Sequence, residues 1–321
     1  MTAPPRIFDR RLHRLRLGRA AAGFEAADFL KRQAAEDLVD RLEAVNRRFA
    51  VAVDVCARRG EFAQALAASQ ASDKIGFLAQ ADICAAMLAG RAGPRLAADE
   101  ERPPFAEASI DLIVSAVGLH WTNDLVGALI QIRRALKPDG LMLASLLGGA
   151  TLTELRQALM EAELELAGGA GPRVSPFADA RDVGGLLQRA GFALPVVDVD
   201  RTTVRYDHLF ALLADLRAMG ETNVLADRPA GPLTRAVLRR ACEIYAERFG
   251  AGGRIAATFA IVTLTGWAPH PDQPRPLRPG SARTRLADAL GAKEMPAGEA
   301  APSQSQSRSQ ATRGASAGGM G

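Results

Sequence analysis

Three aspartates, Asp54, Asp82 and Asp99, each follow or close a short apolar run. A carboxylate in that position can accept hydrogen bonds from a hydroxyl pair or an ammonium. Between the first two lies Asp54-Val55-Cys56-Ala57-Arg58-Arg59-Gly60, a turn with one glycine, and Asp82 follows Gly60 by twenty-two positions. An acid about 20 residues past the first strand-to-helix turn is placed to receive a ribose diol. Taken singly, each aspartate serves as well as a helix cap. Together they suit a ligand with hydroxyls and an amine, such as an adenosine. A fourth apolar run ends at Ser115 and leads into His120-Trp121. Trp121 can stack on a guanidinium, an attraction of ~0.5–2 kcal/mol, and His120 can carry a proton. The plainer alternative is that both rings pack under a lid, with Thr122 or Asn123 capping the next helix.

The elements that must position these residues alternate. Apolar spacing predicts a helix over 28–48, then strand 49–54, helix 61–69, strand 74–79, helix 85–89 and short strand 95–98. Strand 110–115 and helix 124–136 follow, with Lys137-Pro138-Asp139-Gly140 as a stop signal before strand 141–147. Beyond Thr151 come helices 152–166 and 180–190, strand 196–204, helices 209–219 and 233–249, and strand 255–265. The expected fold is α/β, a doubly wound, mostly parallel sheet of about seven strands, with ligands beyond the carboxyl ends of the strands. The expected divisions are an N-terminal helical segment 1–48, a main domain 49–267 whose insertion 206–249 covers the mouth of the site, and a Pro/Ser/Gln-rich tail 268–321. That tail cannot bury enough apolar surface to offset its ordering entropy and is expected to be disordered, apart from a short helix at 283–290.

Composition narrows the classes. Of 321 residues, 40 are Lys or Arg and 36 Asp or Glu, a net charge of +4. Two Trp and two Tyr give no aromatic interleaving with the basic residues, which argues against nucleic acid. Three scattered cysteines, Cys56, Cys84 and Cys242, make neither a disulfide framework nor a CxxC zinc site and suit a reducing compartment. The one HxD spelling, His270-Pro271-Asp272, sits among prolines, so no metal site is expected. No apolar run reaches the ~18 residues of a spanning helix or the length of a signal peptide. The expected location is a bacterial cytoplasm, with peripheral contact to the inner membrane left open. Six arginines crowd residues 6–19 and read as a solvated helix face or a contact surface.

The stretch Pro104-Phe105 through Ser109-Ile110-Asp111-Leu112-Ile113-Val114-Ser115, then Leu119-His120-Trp121-Thr122-Asn123-Asp124 and Leu136-Lys137-Pro138-Asp139-Gly140, resembles class I S-adenosylmethionine (SAM)-dependent methyltransferases. The nearest subgroup holds biotin-synthesis methyltransferases and respiratory complex I assembly factors. Phe8-Asp9-Arg10, Asp28-Phe29-Leu30 and Gly149-x-Thr151-Leu152-x-Glu154-Leu155-Arg156 are similar to the assembly-factor branch, whose members are described as arginine hydroxylases. The resemblance covers residues 8–267. It implies a Rossmann-like methyltransferase fold, SAM as cofactor, a complex I subunit as partner and an arginine as substrate. It also implies cofactor contacts at Asp54, Gly60, Asp82, Ile83, Asp99 and Ser115, with His120 and Trp121 as catalytic candidates. The alternatives are methyl transfer to a small molecule or carrier-bound acyl group, and a non-catalytic scaffold. The first motif departs from the family's D-x-G-x-G-x-G, because Cys56 and Arg58 stand at its first two glycines. Side chains there mean a loop swung outward, a lowered cofactor affinity or a vestigial pocket.

Overall fold

The computed structural model describes residues 6–274 together with 284, 285, 288, 289 and 291. The account concerns the first of two compact units, Met1–Gln273. The low-complexity stretch from Ser303 onward and most of the expected helix at 283–290 lie outside the described residues.

Helix α1 (Arg10–Ala20) begins where the Asp9 side chain accepts the Leu12 N–H, satisfying one of the free amides of the first turn. It buries only His13, Leu17 and Ala20 and leaves most of its arginines outward. Helix α2 (Phe29–Ala44) is amphipathic, with Leu38 and Leu42 fully buried, each contributing about 1.5–3 kcal/mol. Then strand and helix alternate: β1 (Phe49–Val55), α3 (Glu61–Ala67), β2 (Ile75–Asp82), α4 (Ala85–Leu88), β3 (Arg95–Ala97), β4 (Ile110–Ser115), α5 (Leu125–Ala135) and β5 (Leu136–Leu147). Next come α6 (Thr153–Ala167), α7 (Ala180–Ala190), β6 (Ala193–Tyr206), α8 (Leu209–Ala218), α9 (Arg235–Phe249), the two-residue β7 (Gly250–Ala251) and β8 (Arg254–Trp267).

The sheet order is β3-β2-β1-β4-β5-β8-β6, with β7 paired to β8. Strands β1 to β5 are parallel, while β8 runs antiparallel between β5 and β6. This is the doubly wound, mostly parallel sheet expected, with eight strands rather than seven because of β7. Parallel strands covered on both faces need unbroken apolar runs, and β4 and β5 supply them. One face packs on α5 and α7 through Val53, Ile113, Ile132 and Leu187, the other on α2 and α3 through Leu38, Phe49, Phe62 and Leu112. A further apolar cluster joins α6, α8 and α9 to β8 through Leu155, Leu212, Tyr245 and Phe259.

Two boundaries differ from expectation. β5 starts at Leu136, so Lys137-Pro138-Asp139-Gly140 lies in the strand, beside a register shift between Ile110 and Leu112. The Lys137 ammonium, 3.0 Å from both Asp111 carboxylate oxygens, ties this irregular segment to β4. The chain after β8 also stays attached: Ala268 is buried, exchanges backbone hydrogen bonds with Gly140 and Asp139, and is followed by Gln273, whose amide donates to Asp139.

Candidate functional site

Parallel pairing brings the carboxyl ends of β1, β2 and β4 together, with Asp54 in register with Gln80 and Val114. The β1–α3 loop keeps the backbone of a glycine turn without the glycines. Cys56 has φ 58°, Arg58 φ 50° and Gly60 φ 81°. A left-handed conformation costs an L side chain about 1–2 kcal/mol per residue. Two contacts hold it. Cys56 occupies space that Gly118 leaves free, since a Cβ on Gly118 would come 2.3 Å from the Cys56 Cβ. Arg58 donates from its backbone N–H (3.0 Å) and from Nη1 (2.7 Å) to Asp82 Oδ2. The loop therefore does not swing outward: Arg58 folds in and is 2% exposed. Burial lowers the guanidinium's pKa, and Asp82, Cys56 and Glu221 together more than offset this, leaving it raised. Burial pushes the Cys56 thiol up, favouring its neutral form.

The structure brings the expected cofactor residues to one end of the sheet, and most are already engaged or enclosed. Asp82 also accepts the Cys84 N–H through Oδ1 (2.8 Å), so both oxygens have partners and its side chain is sealed from solvent. Asp99 accepts from Arg10 Nη2 (2.9 Å), and Arg10 also reaches Glu100 (2.6 Å) and the Trp121 carbonyl (2.9 Å). Asp54 is buried, with neither oxygen hydrogen-bonded among the described residues. Burial pushes its carboxyl up to about 7, although Lys31 draws it the other way. Lys31 itself donates to the Cys56 carbonyl (2.8 Å) and to that of Ala116. Gly60 opens α3 and faces Gln80 Oε1, which a Cβ would approach to 2.7 Å. Ser115 is buried, and its hydroxyl has no hydrogen-bond partner among the described residues. Ile83 and Asp99 line a cavity of about 300 Å³ with Arg10, Arg11 and Arg14.

As arranged, these residues do not fit the ribose of SAM. The acid that should accept its diol is closed by Arg58 and Cys84, and a side chain stands where the motif has its second glycine.

A larger cavity, about 770 Å³, opens under the segment between α8 and α9. Its apolar wall includes Leu152, Leu155, Leu216 and Phe259, and Arg58, Trp121 and Glu221 also line it. Trp121 is 2% exposed, with the rings of Phe8, His13 and His120 at 5.2, 5.0 and 5.2 Å. Its Nε1 donates to Glu221 (3.0 Å to Oε2), and His120 Nε2 lies 3.0 Å from the same oxygen. Burial raises the Glu221 carboxyl, but the contact with His120, the Arg58 charge and the Trp121 N–H together bring it below its ordinary value. His13 is fully buried, and neither nitrogen has a hydrogen-bond partner among the described residues. Burial first, then the charges of Arg58 and Arg10, hold its pKa well below the usual imidazole value, so it is a neutral packing ring. Trp121 and His120 thus serve as packing and as holders of an ionised carboxylate at the cavity wall. That carboxylate, beside an aromatic ring, can receive a cation.

Sequence reading missed Glu221, Lys31 and Arg10. Glu221 is 100 positions from Trp121, and its one local signal was a polar run, Glu221-Thr222-Asn223, closing an apolar helix. Lys31 had a clearer sign: one of only four lysines, it falls on the apolar stripe of α2 with Ala34, Ala35 and Leu38.

The methyltransferase domain family matches residues 53–144. Arginine-hydroxylase NDUFAF5, mitochondrial, of Danio rerio is 37% identical over 290 residues, 88% of this chain and 89% of that protein. The Homo sapiens protein of the same name is 40% identical over 86% of this chain and 81% of its own length. A malonyl-[acyl-carrier protein] O-methyltransferase of a Methylovorus strain is 33% identical over 84% of this chain and 93% of its own. Among solved structures, a Bacillus halodurans C-125 protein described as a methyltransferase superposes with a TM-score of 0.52 at 13% identity, covering 74% of this chain and all of that one, a likeness of fold. Among the described residues no helix is long and apolar enough to cross a membrane.

Proposed function

The chain belongs to the methyltransferase-domain family that contains the NDUFAF5 arginine hydroxylases, and from that premise we propose that it modifies an arginine of a protein partner. The partner is a subunit of respiratory complex I, whose assembly the modification serves. The observation that carries this reading on the chain itself is Glu221: an ionised carboxylate, fixed by Trp121 and His120, facing a cavity large enough for a side chain and its flanking backbone. A substrate guanidinium seated there gains a charge-assisted hydrogen bond of about 1.5–3 kcal/mol. Trp121, held by three neighbouring rings, fixes the direction from which it enters. The chain's own residues bind and orient the arginine. The SAM end of the fold keeps its three acids, and the cofactor affinity is reduced by the Arg58–Asp82 pair.

The test is co-expression with the iron–sulfur subunit of complex I, followed by mass spectrometry of its arginine peptides. The expected result is a gain of one oxygen on one arginine, lost with Glu221→Gln. A gain of one methyl group would favour methyl transfer, and no gain at all would leave the scaffold reading.

A further inference from the structure

The large cavity is strongly cationic for a site that admits an arginine. Arg16, Arg19, Lys31, Arg58, Arg173, Arg217 and Arg228 line it, against Asp28 and Glu221. Several of these cations have internal partners: Arg173 pairs with Glu163 (2.7 Å), Arg58 with Asp82, and Lys31 with backbone carbonyls. Both carboxylates are engaged too, Asp28 by Arg32 and Glu221 by His120 and Trp121. What is left over is positive. Among the described residues, Arg16, Arg19 and Arg217 have no carboxylate within ion-pair distance, and Arg228 reaches only Asp9, at 3.8 Å. Burial, then the charges of Arg228 and Arg19, pull Arg16 below its ordinary value. Arg58, which lines the cavity, has in Nη2 a buried donor without an acceptor among the described residues.

A buried guanidinium nitrogen with no acceptor is costly to leave unpaired, and like charges gathered at a mouth weaken one another unless an anion arrives. The same surplus continues along α1, where Arg11 and Arg14 are exposed and, like Arg16 and Arg19, unpaired with any described carboxylate. A lone arginine entering this cavity would add a further positive charge.

We propose that the substrate segment carries acidic residues beside its target arginine, and that these carboxylates seat on Arg16, Arg19 and Arg217 at the mouth while the arginine reaches Glu221. This deepens the reading above and rests on it for the arginine. The acidic flank rests on guanidiniums without a described carboxylate partner, of which Arg16 also donates to the Asn223 carbonyl (2.5 Å). Charge complementarity of this kind steers encounter and excludes mismatched partners. Arg–carboxylate pairs are frequently bidentate, which also fixes register.

The experiment is calorimetric titration of the full chain with four short synthetic peptides of one length: arginine flanked by aspartates, the same arginine flanked by alanines, the same flanked by lysines, and the aspartate-flanked peptide with glutamine in place of arginine. The expected order puts the first at least about tenfold tighter than the second, with the third not binding. Raising salt from about 0.05 M to about 0.3 M should weaken the first, because exposed charges are screened over about 10 Å or less. Arg16→Gln with Arg19→Gln should remove most of the preference for aspartate while the melting temperature stays put, and Arg217→Gln should do so separately. If aspartate- and alanine-flanked arginine peptides bind equally, or no peptide binds, the proposal is overturned. If the glutamine peptide binds as well as its arginine parent, the acidic flank stands and the arginine reading fails.

Discussion

Two adjoining regions of this molecule treat arginine in opposite ways. At the β1–α3 loop, Arg58 is drawn inward, buried and matched to Asp82, so its side chain fills the turn from within the chain itself. At the cavity lined by α1, α6 and the α8–α9 segment, Arg16, Arg19 and Arg217 have no ion-pair partner among the described residues. An ion pair satisfied internally takes a ligand site away, whereas a charge left unpaired in a concave wall offers one. Arg58 joins the two regions: Nη1 donates to Asp82, the residue also lines the cavity, and its buried Nη2 has no hydrogen-bond partner among the described residues.

The comparison breaks first at Arg58. Removing one partner of a buried pair leaves the other charge uncompensated, typically 3–5 kcal/mol. Arg58→Ala should therefore lower unfolding stability by about that much in urea melts. Asp82→Ala should do the same, while the double variant should lose less than the sum of the two. Additive losses would show that the pair is not coupled.

Asp54 sharpens the account next. Its folded-state pKa, raised to about 7 by burial, exceeds the unfolded value of ~3.9. The folded state therefore binds more protons in that window, and this group's stabilising contribution, full below the unfolded value, is lost as pH rises through 7. Asp54→Asn removes that loss: relative to wild type it should gain about 2–4 kcal/mol between pH 4 and pH 8. A constant difference across the range would mean that Asp54 is ionised throughout.

Gly118 gives a smaller effect. A Cβ there collides with Cys56, so Gly118→Ala should cost about 1–3 kcal/mol in overpacking. The loss should shrink when Cys56→Gly is added. Thermal melts of the single and double variants measure this. If the loss is unchanged, Cys56 is not what Gly118 accommodates. Smallest of all, Arg19→Gln, at an exposed position without an ion pair, should leave stability within about 0.5 kcal/mol, because its charge is kept for an incoming group.

Much of the fold was readable because parallel strands buried on both faces write themselves as apolar runs. Ile110–Ser115 and Ala180–Ala190 fall where periodicity put them. The acids at strand ends were readable for the same reason, since position along a strand fixes which end of the sheet a residue reaches. What joins sites across long separations was not. Nothing local marks Arg58 as the partner of Asp82, because a surface arginine and a buried one share a spelling. Glu221 depended on the α8–α9 segment folding back over Trp121. The substitution of the motif glycines was visible. That the loop would keep its left-handed turn and send Arg58 inward was decided by tertiary contacts, Cys56 against the bare Gly118 and Arg58 against Asp82.

The most direct test of this account is calorimetric titration of SAM into the wild-type chain and into Arg58→Gly. The substitution removes the side-chain donor to Asp82, leaving its two backbone donors, and restores a glycine at a left-handed position. The account predicts weak binding by wild type, and binding at least about tenfold tighter by the variant, with SAM also raising its melting temperature by more. Tight binding by wild type that Arg58→Gly leaves unchanged or weakens would contradict it, because Arg58 would then be part of a working cofactor site rather than its occupant.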